Sequence, residues 1–362
     1  MLGSLLNALP RLLDQGDRSV PDWVLRLNGV PAPPGLRADL LSLEIYSDVN
    51  LPGMLTLRLL NWDNLLHTVS WSDSPLLEIG TAIEAELGYL NETTKLFDGE
   101  ITGLEPEFEV NRAPVLVVRA HDRRHRLMRG VKTRTFLKQQ DSQIAMQIAS
   151  SAGLKPQAEP TTDILDYVVQ NAQTDYEFLL ERARRIGFEV VVEGSRLFFR
   201  KRQVKGRSRV MLSPGTNLVE CYPRLSSMNQ VSEVQVRGWD ATQKKEIVGK
   251  ATSLHANMAA VSGPGSVKRA FGKAEGQQVH QPVTSKGEAD TIAQGQLEEA
   301  ALGYITVDGL CQGEPDLVAG TVITLQDLGK RFSGDYYVTS AHHQLDADAG
   351  YKTGFIARRN AS

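Results

Sequence analysis

The stretch Leu77-Glu78-Ile79-Gly80-Thr81-Ala82-Ile83, followed by Phe97-Asp98-Gly99-Glu100, recurs about 240 residues later as Leu317-Val318-Ala319-Gly320-Thr321-Val322-Ile323, followed by Phe332-Ser333-Gly334-Asp335. Both read L-x-x-G-T-x-I and then F-x-G-[DE], with the second glycine 19 residues after the first in one copy and 14 in the other. A hairpin loop of variable length produces such a difference. Gly-Thr ahead of β-branched residues is common in strands, so the weight falls on two matches in the same order, each running into further alternating strand. The period is far too long for a solenoid. The fold class expected is mainly β with α+β parts: two related antiparallel β-barrels in one chain, plus a small α/β module.

Composition sets the frame for that expectation. The chain has 362 residues, 41% hydrophobic and 23% charged, which suits two to four ordered units and argues against wholesale disorder. A net charge of -3 predicts no overall attraction to nucleic acid or to an anionic membrane. Cys221 and Cys311 are the only cysteines, too few for a disulfide scaffold or a cysteine-rich zinc site, and two buried free thiols are expected. No apolar run is long enough to span a bilayer, and Met1–Pro10 lacks a basic n-region, so a reducing cytoplasm is the expected compartment.

Residues 1–20 form an expected amphipathic arm, with leucines at 2, 5, 6, 9, 12 and 13 near a helical stripe that Pro10 interrupts. Residues 21–125 alternate in short strands separated by Pro- and Gly-bearing turns and make the first expected barrel. A small α/β module is expected at 126–205. Its first helix would be capped by Asp141-Ser142 and its second by the box Thr174-Asp175-Tyr176-Glu177, with Gly187 as the stop. A hairpin through Glu193-Gly194-Ser195 follows. Residues 206–240 are expected as a linker leading into the first strands of the second barrel, 241–303 as an insertion with a mobile loop and a helix, and 304–362 as the rest of that barrel.

Between Arg119 and Lys138 eight basic residues accompany a single acid, Asp122. Phe136 is the one Phe, Tyr or Trp interleaved, too few for base stacking, so pairing with acids of a neighbouring subunit is the favoured role, and Arg123, Arg124, Arg126 and Arg129 are the candidate interface residues. His121 and His125 are four apart, but the segment begins as a strand and lacks the glutamate of H-E-x-x-H. His342 and His343 are neighbours in a strand and point to opposite faces. No nucleophile elbow, P-loop or dinucleotide fingerprint occurs, and Glu105-Pro106-Glu107 is the nearest approach to an acidic pair. No catalytic, cofactor or metal residues are assigned.

Gly238-Trp239-Asp240 after alternating valines, Asn171 to Leu179 through Gly187-Phe188, and Gly313 to Leu317 through Gly320 and Phe332 to Thr339 together resemble the phage late control gene D proteins. These are baseplate hub proteins of contractile tails, similar to the N-terminal hub half of VgrG. The resemblance runs from about Trp23 to Ala357 and implies a homotrimer that adapts a sixfold tube to a threefold spike. It further implies as partners an inner tube or tube-initiator protein, baseplate wedge proteins and a spike expected to be a separate polypeptide with an OB-fold and β-helix. Synthesis in the bacterial cytoplasm and incorporation into a phage tail or tail-like particle are the corresponding location, with no cofactor, membrane or nucleic-acid contact. The residues Leu77, Gly80, Thr81, Ile83, Phe97 and Gly99, and Leu317, Gly320, Thr321, Ile323, Phe332 and Gly334, are the structural sites expected to matter. A tail-associated peptidoglycan hydrolase is the alternative function, and a nucleic-acid-binding module a third.

Overall fold

Leu55, Leu57 and Leu59 are fully buried while Met54, Thr56 and Arg58 between them are not. Such two-residue alternation repeats across the strands of a computed structural model that describes residues 20–90, 92–206, 208–240, 243–278, 283–347 and 349–362. The amphipathic arm expected at 1–20 lies outside the described residues except for Val20.

The first barrel comprises β1 (Pro21–Leu27), β2 (Val30–Pro31), β3 (Leu40–Asp48), β4 (Met54–Leu60), β5 (Ala82–Tyr89), β6 (Glu92–Glu107) and β7 (Val115–Asp122). A five-residue helix α1 (Pro34–Ala38) buries Leu36 against its core. The second barrel comprises β13 (Val210–Leu212), β14 (Leu218–Leu225), β18 (Ile305–Gln312), β19 (Val322–Leu325), β20 (Gly334–Asp346) and β21 (Gly350–Arg359), with the short helix α6 (Gly329–Phe332) before β20.

The strand order is the same in both. In the first, β3 pairs β4, β4 pairs β7, β7 pairs β6, β6 pairs β5 and β5 pairs β1. In the second, β14 pairs β18, β18 pairs β21, β21 pairs β20, β20 pairs β19 and β19 pairs β13. Register shifts fall at matching places too, between Leu40 and Ser42 and between Leu218 and Glu220, and again between Ile101 and Gly103 and between Val338 and Ser340. Conserved bulges mark a designed strand geometry, here used twice. Each barrel encloses its own apolar cluster. They are not separate sheets, however: β20 pairs β3 from Ser340 opposite Asp48 to Asp346 opposite Ser42, joining both barrels in one 13-stranded sheet.

Between the barrels lies the α/β module: β8 (Lys132–Gln139), α2 (Asp141–Ser151), β9 (Lys155–Ala158), β10 (Leu165–Gln173), α3 (Asp175–Arg185), β11 (Phe188–Glu193) and β12 (Arg196–Lys201) around one core. Thr174 and Glu177 form the expected capping box of α3, with bonds of 3.2 and 2.8 Å. Helix α2 departs from expectation. Its cap is Gln140, whose N–H donates to Gln143 at 2.9 Å, because the Asp141 carboxylate is taken by buried Arg182 at 2.6 Å.

Residues 233–240 also depart from expectation. Strand β15 (Glu233–Asp240), assigned from the sequence to the second barrel, pairs only β16 (Lys245–Ala251) and β17 (Glu275–Gln278). Its Val234 and Val236 pack with Ile292 and Leu297 of α5 (Lys286–Leu302), giving the insertion a core of its own. Much of the stretch 251–284 is ordered into helix α4 (Gly263–Phe271) and β17, while 279–282 lie outside the described residues.

Candidate assembly surface

The glycines of the repeat are fixed by backbone geometry. Gly80 and Gly320 stand at φ +92° and +86°, a conformation that L-residues rarely adopt, and a Cβ at either would meet nothing. Gly80 N–H donates to Ile101 O at 2.8 Å and Ile101 N–H to Thr81 O at 2.9 Å; Gly320 N–H donates to Val338 O and Val338 N–H to Thr321 O, both at 2.9 Å. Leu77 and Leu317 precede them, fully buried, and Ile83 and Ile323 follow, fully buried. These residues build the two barrels at the same point.

The second half of the motif does not superpose. Ile83 lies opposite Gly99, whereas Ile323 lies opposite Tyr336. Gly99 therefore corresponds to Tyr336, and Phe97 to Gly334, so F-x-G-[DE] is displaced by two residues between copies. Phe332 sits in α6, outside the strand that would match Phe97.

The basic run is largely neutralised within the chain. Arg123 pairs Asp98 at 2.6 Å, Arg126 pairs Glu100, and Lys132 and Arg134 both pair Asp175 at 2.5 Å. Arg124 is buried, held by Asp122 at 2.7 Å and donating to Asp48 O at 2.8 Å. Of the four candidate interface arginines only Arg129 is exposed. The single acid within the run misled, because β6 and the first turn of α3 bring four more, Asp98, Glu100, Glu105 and Asp175.

His125 shares Glu100 at 2.8 Å, and burial lowers the His121 pKa while Thr102 contacts its Nδ1 at 2.7 Å. No group of three or more potential metal ligands occurs among the described residues. His343 is enclosed, its Nδ1 2.8 Å from the Tyr351 hydroxyl, and burial pushes its pKa down to about 3; His342 faces Glu44 at 3.1 Å on the other side. Glu105 and Glu107 are matched by Arg119 and Arg58, each at 2.7 Å. The Arg119 hydrogen bond lowers the Glu105 pKa, opposite to the shift a general acid requires. Cys311 is buried and Cys221 half-buried, and neither is in a disulfide.

Two strand edges carry no recognisable sequence motif. Past Ile101, β6 pairs only β7, and β14 pairs only β18, so each leaves one edge without a strand partner among the described residues. Pro106 and Pro223 are the signal that could have found them, since proline within a strand belongs on an edge.

This two-barrel architecture defines a tail-hub class of fold. A crystal structure of the 43 kDa tail protein of prophage MuSo2 from Shewanella oneidensis is similar at TM-score 0.70 and 14% identity, covering 94% of this chain and 98% of that one. A tail protein from Neisseria meningitidis MC58 is similar at TM-score 0.67 and 13% identity, covering 94% and 97%. The E. coli c3393 protein, described as a component of the type VI secretion system with structural similarity to T4 tail proteins gp27 and gp5, is similar at TM-score 0.61 and 14% identity, covering 93% and 77%. No curated protein matches the sequence. Residues 33–347 match the family described as the Alg8 N-terminal domain, and the chain belongs to that family.

Proposed function

We propose that this chain is a structural baseplate hub of a contractile injection particle, of the late control gene D and VgrG kind, acting as a homotrimeric adapter between a sixfold inner tube and a threefold spike. The observation that carries this is the duplicated barrel. Two units of one strand order, joined edge to edge, give six similar units from three chains, which a sixfold partner can meet while a threefold partner meets the chains themselves. The shared fold with two tail proteins and a type VI secretion component supports it. Tube or tube-initiator, wedge and spike proteins are the partners, and the baseplate of a phage tail, tailocin or related particle is the location.

Light scattering on the full chain, alone and mixed with a candidate trimeric spike protein, tests the proposal. A trimer that captures the spike is expected. A monomer at high concentration that binds neither tube nor spike protein would overturn it.

A further inference from the structure

The internal seam between the barrels shows what should cover the open edges. Across the first barrel, one row of cross-strand partners runs Ile101, Ala120, Leu55, Ile45; across the second the corresponding row runs Val338, Ala357, Val307, Pro223. By this register β3 corresponds to β14, and the second half of β20 to residues 103–109. In the chain, β3 and β20 pair with each other. Their counterparts, β14 and the end of β6, are the two edges left open.

We propose that β14 of one copy lies against residues 103–109 of the next, so that the contact between chains repeats the seam within a chain. This rests on the trimeric reading above and specifies how its ring closes. Transferring the seam register places Arg224 opposite Glu105, where the chain itself has Tyr46 opposite His342. Arg224 is exposed and in no ion pair among the described residues. Leu104 falls opposite Leu225, and Phe108, 66% exposed, opposite Cys221. A cation without an ion pair thus joins an acid that Arg119 already holds within the chain, and an exposed aromatic ring gains an apolar neighbour.

The match also contains a deliberate interruption. Val49 N–H donates to Thr339 O at 3.1 Å, so antiparallel alternation makes Ile45 and His343 a hydrogen-bonded pair. Their counterparts are Pro223 and Pro106, neither of which has an N–H to donate. The contact between chains therefore lacks two ladder bonds that the internal seam has. The same prolines protect each edge from indiscriminate strand addition before assembly.

Arg224 and Glu105 fall at a non-hydrogen-bonded position, where Cα atoms about 4.5 Å apart suit a disulfide. The test is oxidation of the full-length double variant Glu105→Cys/Arg224→Cys in a Cys221→Ser background, with mass by light scattering before and after. A covalent trimer, absent from either single-cysteine control, is expected. A trimer that does not cross-link overturns this register and leaves the trimeric hub intact, whereas a monomer overturns both. Charge reversal gives a second readout: Glu105→Arg or Arg224→Glu alone should weaken trimer formation about tenfold, and the double reversal should recover most of it. Equal affinity in all four proteins would also sink the assignment.

Discussion

The two barrels share strand order, bulges and glycines, yet differ where they meet the rest of the molecule. The turn between β3 and β4 is short, whereas the corresponding connection from β14 to β18 holds the whole insertion with its own sheet and helices. Strand β1 enters antiparallel to β5, but β13 enters parallel to β19. The end strands and turns are thus free to change, while the five-strand run from β3 to β7 and its counterpart are not. Conservation of register, more than of side chains, is what the duplication preserved.

Corresponding positions that carry opposite chemistry offer ways to break that equivalence. Asp122 at the end of β7 corresponds to Arg359 at the end of β21. Asp122 is clamped by buried Arg124, and Arg359 lies 5.4 Å over the Tyr336 ring and donates to Ser333 O. Replacing Arg124 by Ala leaves a buried carboxylate without its cation, and urea unfolding should show a loss of roughly 3–5 kcal/mol. Arg359→Ala should cost clearly less, since it strands no opposite charge; equal losses would mean the two ends are held alike.

His343 corresponds to exposed Pro106. Its imidazole is neutral in the fold down to about pH 3 because it is buried, while in the unfolded chain it takes up a proton below about pH 6.5. The unfolded state therefore binds more protons between those limits, and stability contributed by the neutral histidine is present above pH 6.5 and lost as pH falls toward 3. The expected loss is a few kcal/mol on going from pH 7 to 4. His343→Asn should flatten that dependence, as measured by unfolding midpoints at both pH values, even if it lowers stability at pH 7.

Opposite Gly309 in the second barrel is Phe355, where the first has Leu57 opposite Val118. A Cβ on Gly309 would come within 2.4 Å of the Phe355 ring. Gly309→Leu should destabilise by about 3 kcal/mol, and adding Phe355→Val should restore most of it by reproducing the first barrel's pair. At Gly80 and Gly320, substitution by Ala should cost roughly 1–2 kcal/mol each, and by similar amounts, since the backbone and not packing sets the demand. Smallest of all, exposed Arg129→Ala should change stability by less than about 0.5 kcal/mol.

Legibility in the sequence followed the physical range of each constraint. L-x-x-G-T-x-I was readable because one positive-φ residue between buried leucine and isoleucine leaves a local trace. F-x-G-[DE] misled because strand register is set by partners far along the chain, and a shift of two residues keeps the same face. β15 was recognisable as a strand, but alternation does not say which sheet receives it; Val234 and Val236 find α5, some 60 residues on. The arginines looked unpaired for the same reason, with Asp98 and Glu100 on a strand about 25 residues upstream. Asp141 reads as a cap until Arg182, 41 residues away, claims it. The open edges were visible only as two prolines.

The seam between β3 and β20 joins residues 42–48 to 340–346, nearly the whole length of the chain apart. On the ribosome the first barrel emerges long before the strand that covers its edge, so β3 stays uncovered until about 300 further residues have been made. Such a long-range pairing is slow to close and leaves an exposed edge in the interval. Emergence of β20 rather than collapse of the first barrel then sets when a subunit becomes competent to assemble, and a nascent chain truncated before residue 340 should remain prone to aggregation.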